Sequence, residues 1–442
     1  MQDQTYYLAV DIGASSGRHI LGHLEGGKLA LEEMHRFENG MKEVDGHFTW
    51  DIEALFNEIV QGLVKCREAN KIPVSMGIDT WGGDYVLLDG DRKEITPAFA
   101  YRDARGGQSV AAVEEVLPYA ALYAKTGIPR QPFNTIYQLW HDKQAGRLGR
   151  AAHMLMLPEY FHWRLTGVMR REYTNATTTG LVNADTGAWD GDILAALGYP
   201  ARLFGEIHRP GEAVGAFTEE MQRRVGFDCQ VVLPGTHDTA SAVAACPCKG
   251  QPLYISSGTW SLMGTELDAP LRTEECRAAN FTNEGGANGK IRFLKNIMGL
   301  WMLQCIKREQ LSPVTYDQLM EMARASAFDG SIDLQDPAFL APRSMTEAVR
   351  AHLGQPALPL ADVVRTVYHS LARCYAQTAR EIEALCGQAF PAIHIFGGGS
   401  GDRYLNELTA RYSGKQVIAG PKEATAMGNL LVQMAAAGVF PS

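Results

Sequence analysis

The string Asp11-Ile-Gly-Ala-Ser-Ser-Gly-Arg18 places a carboxylate, two glycines, two hydroxyls and a fixed cation in one short stretch. Gly13 and Gly17 predict a tight hairpin that exposes successive backbone N–H groups, a concavity suited to phosphate oxygens. Ser15 and Ser16 add hydroxyl donors, and Arg18 adds a permanent charge. Asp11, at the end of the strand, can hold a magnesium ion through water. An ordinary polar hairpin has the same composition. Gly13-Ala-Ser15-Ser-Gly17 also matches the G-x-S-x-G elbow of hydrolases, which must run into a helix. The residues after Arg18 read as a strand, which disfavours that rival. No GxxxxGK[ST] string occurs, so a P-loop kinase is excluded.

A second constellation is Gly235-Thr-His-Asp238-Thr, just after the apolar run Gln230–Leu233. A carboxylate at a strand end, flanked by glycine and hydroxyls, suits a base that orients an alcohol and takes its proton during attack on ATP. A nearby triphosphate would raise the Asp238 pKa toward neutrality. A helix cap or loop carboxylate has the same local sequence. His237 reads as a hydrogen-bonding wall residue. Asp79-Thr-Trp81-Gly82-Gly83-Asp84 offers an exposed indole face for a sugar ring and backbone room for its hydroxyls; a core tryptophan is the competing reading. Later, Ser257-Gly258-Thr259 can donate to phosphates, and Gly397-Gly398-Gly399 after a buried strand lets a flat adenine approach the backbone. Gln304 can face the nucleotide from a core-like helix spanning 297–305. Asn283-Glu-Gly-Gly286 and Lys295-Asn296 add polar groups amid apolar sequence.

The elements that must hold these residues follow from periodicity and breakers. Strands are predicted at Tyr6–Val10, Arg18–Leu24, Leu29–Phe37, Ser75–Ile78 and Tyr85–Leu88. Ile52, Leu55, Phe56, Ile59 and Leu63 mark a helix capped by Asp51, with Glu53 in its first turn. The second half repeats the grammar: strand Leu253–Ser256, a tight turn, then strand Trp260–Glu266. A long helix reaches about Leu385, followed by strand Ala392–Phe396, helix Tyr404–Tyr412, strand Gln416–Ile418 and helix Glu423–Ala437. The shared opening suggests duplicated lobes. With 442 residues, two domains are expected, because single cores stop growing near roughly 250–300 residues. The Pro-Cys-Lys-Gly-Gln-Pro stretch sets their boundary, giving domains 1–246 and 247–442.

Composition excludes other classes. Hydrophobic residues make up 46% and charged residues 21%, and the net charge of −9 is spread without like-charge blocks, against a nucleic-acid or anionic-membrane binder. The apolar stretch Leu430–Phe440 is shorter than the ~20 residues of a membrane span. Met-Gln-Asp-Gln-Thr carries no signal-peptide pattern, and a cytoplasmic location is expected. The eight cysteines are scattered. Only Cys246-x-Cys248 is close-set, so reduced thiols are expected rather than a zinc site.

Taken in order, these strings resemble the FGGY family of carbohydrate kinases from about Tyr7 to about Gln433, most closely its L-rhamnulose kinases. They are Ala-Val-Asp-Ile-Gly-Ala-Ser-Ser-Gly-Arg at 9–18, Gly-Ile-Asp-Thr-Trp-Gly at 77–82, Pro-Phe-Asn-Thr-Ile-Tyr-Gln-Leu at 132–139 and Glu-Tyr-Thr-Asn-Ala-Thr-Thr-Thr at 172–179. His-Asp-Thr-Ala-Ser-Ala-Val at 237–243, Ser-Ser-Gly-Thr-Trp-Ser-Leu-Met-Gly at 256–264, Asn-Glu-Gly-Gly at 283–286 and Leu-Lys-Asn-Ile-Met-Gly-Leu-Trp at 294–301 complete the set. The resemblance implies an α/β fold of two actin-like, ribonuclease H-like lobes with ATP and Mg²⁺ between them. It implies phosphorylation of L-rhamnulose at its 1-hydroxyl. Asp238 corresponds to the proton acceptor, and Ala14, Ser15, Ser16, Gly17 and Arg18 to the phosphate loop. Gly82, His237, Asp238, Thr239 and Asn296 correspond to sugar contacts, and Thr259, Gln304 and Gly398 to nucleotide contacts. A related ketose such as fuculose or xylulose, or an actin-like ATPase without a sugar, are the alternatives. A small sugar and ATP are the expected partners, and a monomer or weak homo-oligomer the expected state. Gly83 stands where a bulkier residue is expected, which would widen the pocket. The chain stops at Ser442, where relatives carry a further segment.

Overall fold

The computed structural model describes residues 4–247 and 250–439. Cys248 of the Cys-x-Cys pair, Lys249 of the expected boundary, the start of the N-terminal string and Phe440–Ser442 lie outside the described residues. The chain forms two compact units. One comprises Met1–Ala245, Leu267–Arg292 and Thr425–Ser442; the other comprises Cys246–Glu266 and Phe293–Ala424. One crossing thus falls beside the expected 246/247 boundary, and two later segments return to the first unit.

Strand Tyr6–Ile12 is buried from Tyr7 onward, as its apolar residues require of a central strand. It lies within a six-stranded sheet ordered Ala213–Ala216, Gln230–Val232, Pro73–Thr80, Tyr6–Ile12, Ser16–Glu25 and Lys28–Glu38. The first three strands in sequence pair antiparallel, and Pro73–Thr80 and Gln230–Val232 add parallel to one side. Helix Ile52–Glu68 forms as its spacing predicts: Asp51 accepts from Ala54 N–H, Glu53 lies in the first turn, and Leu55, Phe56, Ile59 and Leu63 are buried. Tyr85–Leu88 pairs with the distant His153–Met156.

The second unit repeats this order. Five neighbouring strands of the second six-stranded sheet run Ile291–Met298, Trp260–Leu267, Leu253–Ser257, Ala392–Phe396 and Gln416–Ala419. Leu253–Ser257 pairs antiparallel with Trp260–Leu267 and parallel with Ala392–Phe396, which pairs parallel with Gln416–Ala419. An antiparallel strand pair extended on one side by parallel strands therefore recurs in both units, as in the actin-like fold. The expected helix over 297–305 divides: 297–298 finish a strand, and the helix is Trp301–Arg308. The apolar run there is shared by a buried strand and a buried helix face, which periodicity alone does not separate.

Helix Ala424–Ala436 belongs almost wholly to the first unit. Its Ala426, Leu430 and Met434 join Tyr7, Ala9 and Ile20 in one core cluster. Gln433 Nε2 donates to Leu8 O, and Asn429 Nδ2 donates to Gly77 O. Gly428 lets the helix meet helix Asp238–Ala244, because a Cβ there would stand 1.7 Å from Ser241 O. No helix among the described residues is long and apolar enough to cross a membrane.

Candidate active site

The carboxyl ends of the first unit's parallel strands gather three acids, at the position where α/β sheets bind ligands. Asp11 and Asp79 are register partners on adjacent parallel strands. One residue on, Thr80 forms a parallel bridge with His237 and donates its N–H to Thr236 O. Asp238 then opens helix Asp238–Ala244 with His237 at its N-cap. Burial, together with the charges of Asp11 and Asp238, holds the Asp79 carboxyl well above the usual carboxylate range. Asp79 Oδ2 accepts from Asn429 Nδ2, while Oδ1 is sealed without a hydrogen-bond partner. Desolvation and the charge of Asp11 also raise Asp238, against the opposing pull of His237 and Thr239.

The Asp238 side chain keeps 30% of its surface exposed. Its Oδ1 accepts from Thr239 N at 2.6 Å and Thr239 Oγ1 at 3.1 Å, and lies 3.5 Å from His237 Nε2. Every described contact of the carboxylate falls on Oδ1, which leaves Oδ2 to receive a proton. Behind it, Arg292 Nη2 donates to His237 Nδ1 and to Glu284 Oε2. Glu172 anchors the preceding loop: its Oε2 accepts from both Thr236 N and Thr236 Oγ1.

In the hairpin, Arg18 Nη2 donates to Asp11 Oδ2 at 2.6 Å, so the two residues expected to serve phosphate and metal separately form an ion pair. Gly13 N–H donates to Ser16 O, Ser15 is exposed, and Ala14 and Ser16 are half-buried. Gly17 owes its identity to packing rather than to a turn, because a Cβ there would lie 2.1 Å from the Phe37 ring. A strand, Ser16–Glu25, follows instead of a helix, which removes the nucleophile-elbow reading.

Trp81 is 8% exposed, so the expected open indole face is in fact core. Its ring packs on Trp50, and both indole N–H groups donate to Asp84 Oδ2, at 2.8 and 2.6 Å. The apolar wall around it explains why: an indole gains more by burial when its N–H finds a partner. Gly82 lies against Thr178, where a Cβ would approach within 2.9 Å. Gly83 has φ +92°, a conformation that favours glycine, so its small size follows from the backbone rather than from a widened pocket. Its carbonyl accepts from Thr135 Oγ1 and Gln138 Nε2.

The second unit holds the nucleotide candidates. Thr259 Oγ1 reaches Gln304 Oε1 at 3.5 Å, and Trp301 N–H donates to Thr259 O. Gly397 and Gly399 press on Ser257: their Cβ atoms would stand 2.9 Å from its carbonyl oxygen and 2.1 Å from its Oγ. Gly398 faces open space, with nothing within 4 Å of a Cβ. Asn296 lies on strand Ile291–Met298, its carbonyl accepting from Gln335 Nε2. The first unit thus carries Asp11, Ala14–Arg18, Trp81, Gly82 and His237–Thr239, and the second carries Thr259, Asn296, Gln304 and Gly398.

Sequence reasoning did not single out Asp79, Glu172, Arg292 or Asn429. Asp79 was within reach, since it lies in the same string as Trp81. No cluster of three or more His, Cys, Asp or Glu among the described residues encloses a metal directly. The sealed Asp79 Oδ1 and the crowding of three acids nonetheless fit a divalent cation held through water and phosphate oxygens. The seven described cysteines are free thiols.

Residues 6–245 match the N-terminal domain of the FGGY family of carbohydrate kinases, and residues 253–437 match its C-terminal domain. A protein named rhamnulokinase from Halalkalibacterium halodurans is 48% identical over 99% of this chain and 95% of its own length. Another, from Bacillus subtilis, is 42% identical over 98% of this chain and 90% of its own. Among solved structures, gluconate kinase from Lactobacillus acidophilus superposes with a TM-score of 0.79 at 16% identity, covering 100% of this chain and 91% of that one. Xylulose kinase from the same organism gives 0.79 at 16% identity, covering 99% and 90%.

Proposed function

The chain belongs to the FGGY family of carbohydrate kinases, and from that premise we propose that it transfers the terminal phosphate of ATP to the 1-hydroxyl of L-rhamnulose, giving L-rhamnulose 1-phosphate and ADP. One observation carries the choice of sugar: the end-to-end identity with relatives named rhamnulokinase. The positive φ of Gly83 accounts for a glycine at that position, so its small side chain is no argument for a different ketose.

In this reading, Asp238 orients the attacking hydroxyl and takes its proton on Oδ2. Its raised pKa moves the carboxylate toward the strength a base needs near neutrality. The transition state is loose, so placement counts for more than basicity. His237, Thr239, Gly82 and Asn296 bind the sugar, and Trp81 backs the turn as a buried wall. Ala14–Arg18 receive the phosphates. Thr259, Gln304 and Gly398 receive the nucleotide, and the open space at Gly398 supports an approach of adenine to the backbone. Asp11 would hold Mg²⁺ through water, and the ion would supply charge neutralisation at the phosphate oxygens. We place the enzyme in the cytoplasm, where ATP is available and free thiols persist, as a monomer or weak homo-oligomer.

The test is an ADP-coupled assay over a panel of ketoses and aldoses, with and without Mg²⁺. Turnover should be highest with L-rhamnulose and should require the metal. Equal or faster turnover with fuculose or xylulose would overturn the assignment of the sugar.

A further inference from the structure

Two charged residues that the phosphoryl transfer does not use directly, Glu284 and Arg292, sit behind the proposed base. Arg292 is fully buried, with a side-chain exposure of 0%, and Glu284 is nearly so at 7%. Burying such a pair is costly unless geometry and hydrogen bonds repay it, and it is often no more stable than an apolar replacement. Its contacts point to a different use.

We propose that Arg292, seated by Glu284, is a positioning residue that holds His237 in the tautomer with its proton on Nε2. A guanidinium only donates hydrogen bonds. Arg292 Nη2 stands 3.0 Å from His237 Nδ1. A proton on Nδ1 would set two donors face to face, so Nδ1 carries the lone pair and the neutral ring carries its proton on Nε2.

Glu284 Oε2 also lies near Nδ1, at 3.3 Å, and by itself would favour a proton there. That oxygen is already committed to Arg292 Nη2 at 3.1 Å, and Glu284 Oε1 accepts from Thr282 Oγ1 at 3.2 Å. Arg292 Nε is fixed as well, donating to Gly285 O at 2.8 Å. The guanidinium is therefore clamped, and the ring adapts to it. The consequence reaches the base. Nε2–H lies on the Asp238 side, 3.5 Å from Oδ1, where Thr239 already donates twice. The ring N–H adds positive potential on the Oδ1 side, at ion-pair rather than hydrogen-bond distance, and leaves Oδ2 to the substrate hydroxyl.

The proposal rests on Asp238 being the acceptor in sugar phosphorylation, but its first test does not need activity. Ring-nitrogen ¹⁵N NMR of the wild-type protein, with the His237 signals assigned by their loss in His237→Gln, should show a pyridine-type Nδ1 and a pyrrole-type Nε2. A pyrrole-type Nδ1, alone or with a pyrrole-type Nε2, overturns the proposal, and this reading stands even where the Glu284 and Arg292 variants fail to fold. The second test is kinetic. Glu284→Gln/Arg292→Gln removes both buried charges together, and kcat should fall roughly a hundredfold, as misplacement of a reacting group does, with the KM for ATP unchanged. Arg292→Lys, which keeps a donor, should restore part of the loss. Wild-type kcat in the double variant overturns the positioning role. Failure to phosphorylate any sugar would sink the proposed function while leaving the tautomer result to stand or fall separately.

Discussion

Asp11 and Asp79 face each other as register partners on adjacent parallel strands, two acids where like charges side by side weaken a sheet. Burial, reinforced by the charge of Asp11, raises the Asp79 carboxyl, and its Oδ1 is without a hydrogen-bond partner. Asp79→Asn should therefore raise the thermal midpoint of the ligand-free protein while lowering turnover and raising the Mg²⁺ concentration needed for half-maximal activity. Differential scanning calorimetry and a Mg²⁺ titration check both halves. A destabilised variant with an unchanged Mg²⁺ requirement would show that the pair is structural.

The carboxyl of Asp84 gives a pH prediction with a defined sign. Burial pushes it up to about 6, against the hydrogen bonds from Trp81, Trp50, Gln138 and Tyr101. A carboxyl raised in the folded state binds its proton more tightly there than in the unfolded chain. Stability is then fullest below about pH 4 and declines as pH rises through about 6, by about 3 kcal/mol at most. Asp84→Asn keeps an acceptor for both indoles and should flatten that slope. Urea midpoints followed by tryptophan fluorescence across this range would show it. An identical slope in both proteins would assign the effect to other acids.

Much of the fold was legible because it is local. Asp51, Glu53 and the apolar spacing of Ile52–Leu63 specify their helix without help from the rest of the chain. The string from Asp11 to Arg18 marked its strand–turn–strand for the same reason. What stayed hidden depends on distant partners. Asn429 and Gln433 look like polar residues of an amphipathic helix, yet they bond to residues more than 300 positions earlier. Glu284 and Arg292 look like ordinary strand charges until topology brings His237 against both. The glycines flanking Trp81 fit an exposed indole and a core tryptophan alike, and only Trp50 and Asp84 show that it is core. Gly83 was read for its size when its φ was the reason.

Gly82 offers a test of the sugar turn. A methyl group at Gly82 would crowd Thr178. Gly82→Ala should raise the sugar KM about tenfold or more, since small displacements at a binding turn are costly. Adding Thr178→Ala should restore part of it, while the KM for ATP stays unchanged in both. A raised ATP KM with normal sugar KM would contradict the placement of the sugar.

The three glycines at 397–399 should separate by role. Gly399→Ala drives a methyl into Ser257 and should lower the thermal midpoint, by overpacking of about 1–3 kcal/mol. Gly398→Ala meets open space and should leave the midpoint alone while raising the KM for ATP. A Gly398→Ala enzyme with wild-type ATP kinetics would remove that residue from the nucleotide site.

The central claim is that Asp238 accepts the proton of the L-rhamnulose 1-hydroxyl. Its most direct measurement is ADP release with L-rhamnulose and Mg²⁺-ATP, wild type against Asp238→Asn, with the product identified by ³¹P–¹³C NMR. The wild type should release ADP only when sugar is present and should place the phosphate on the 1-position. Asp238→Asn, which keeps its oxygen for Thr239, should lose roughly a hundredfold or more in kcat. Near-wild-type turnover in Asp238→Asn, or ADP release undiminished without sugar, would contradict the account.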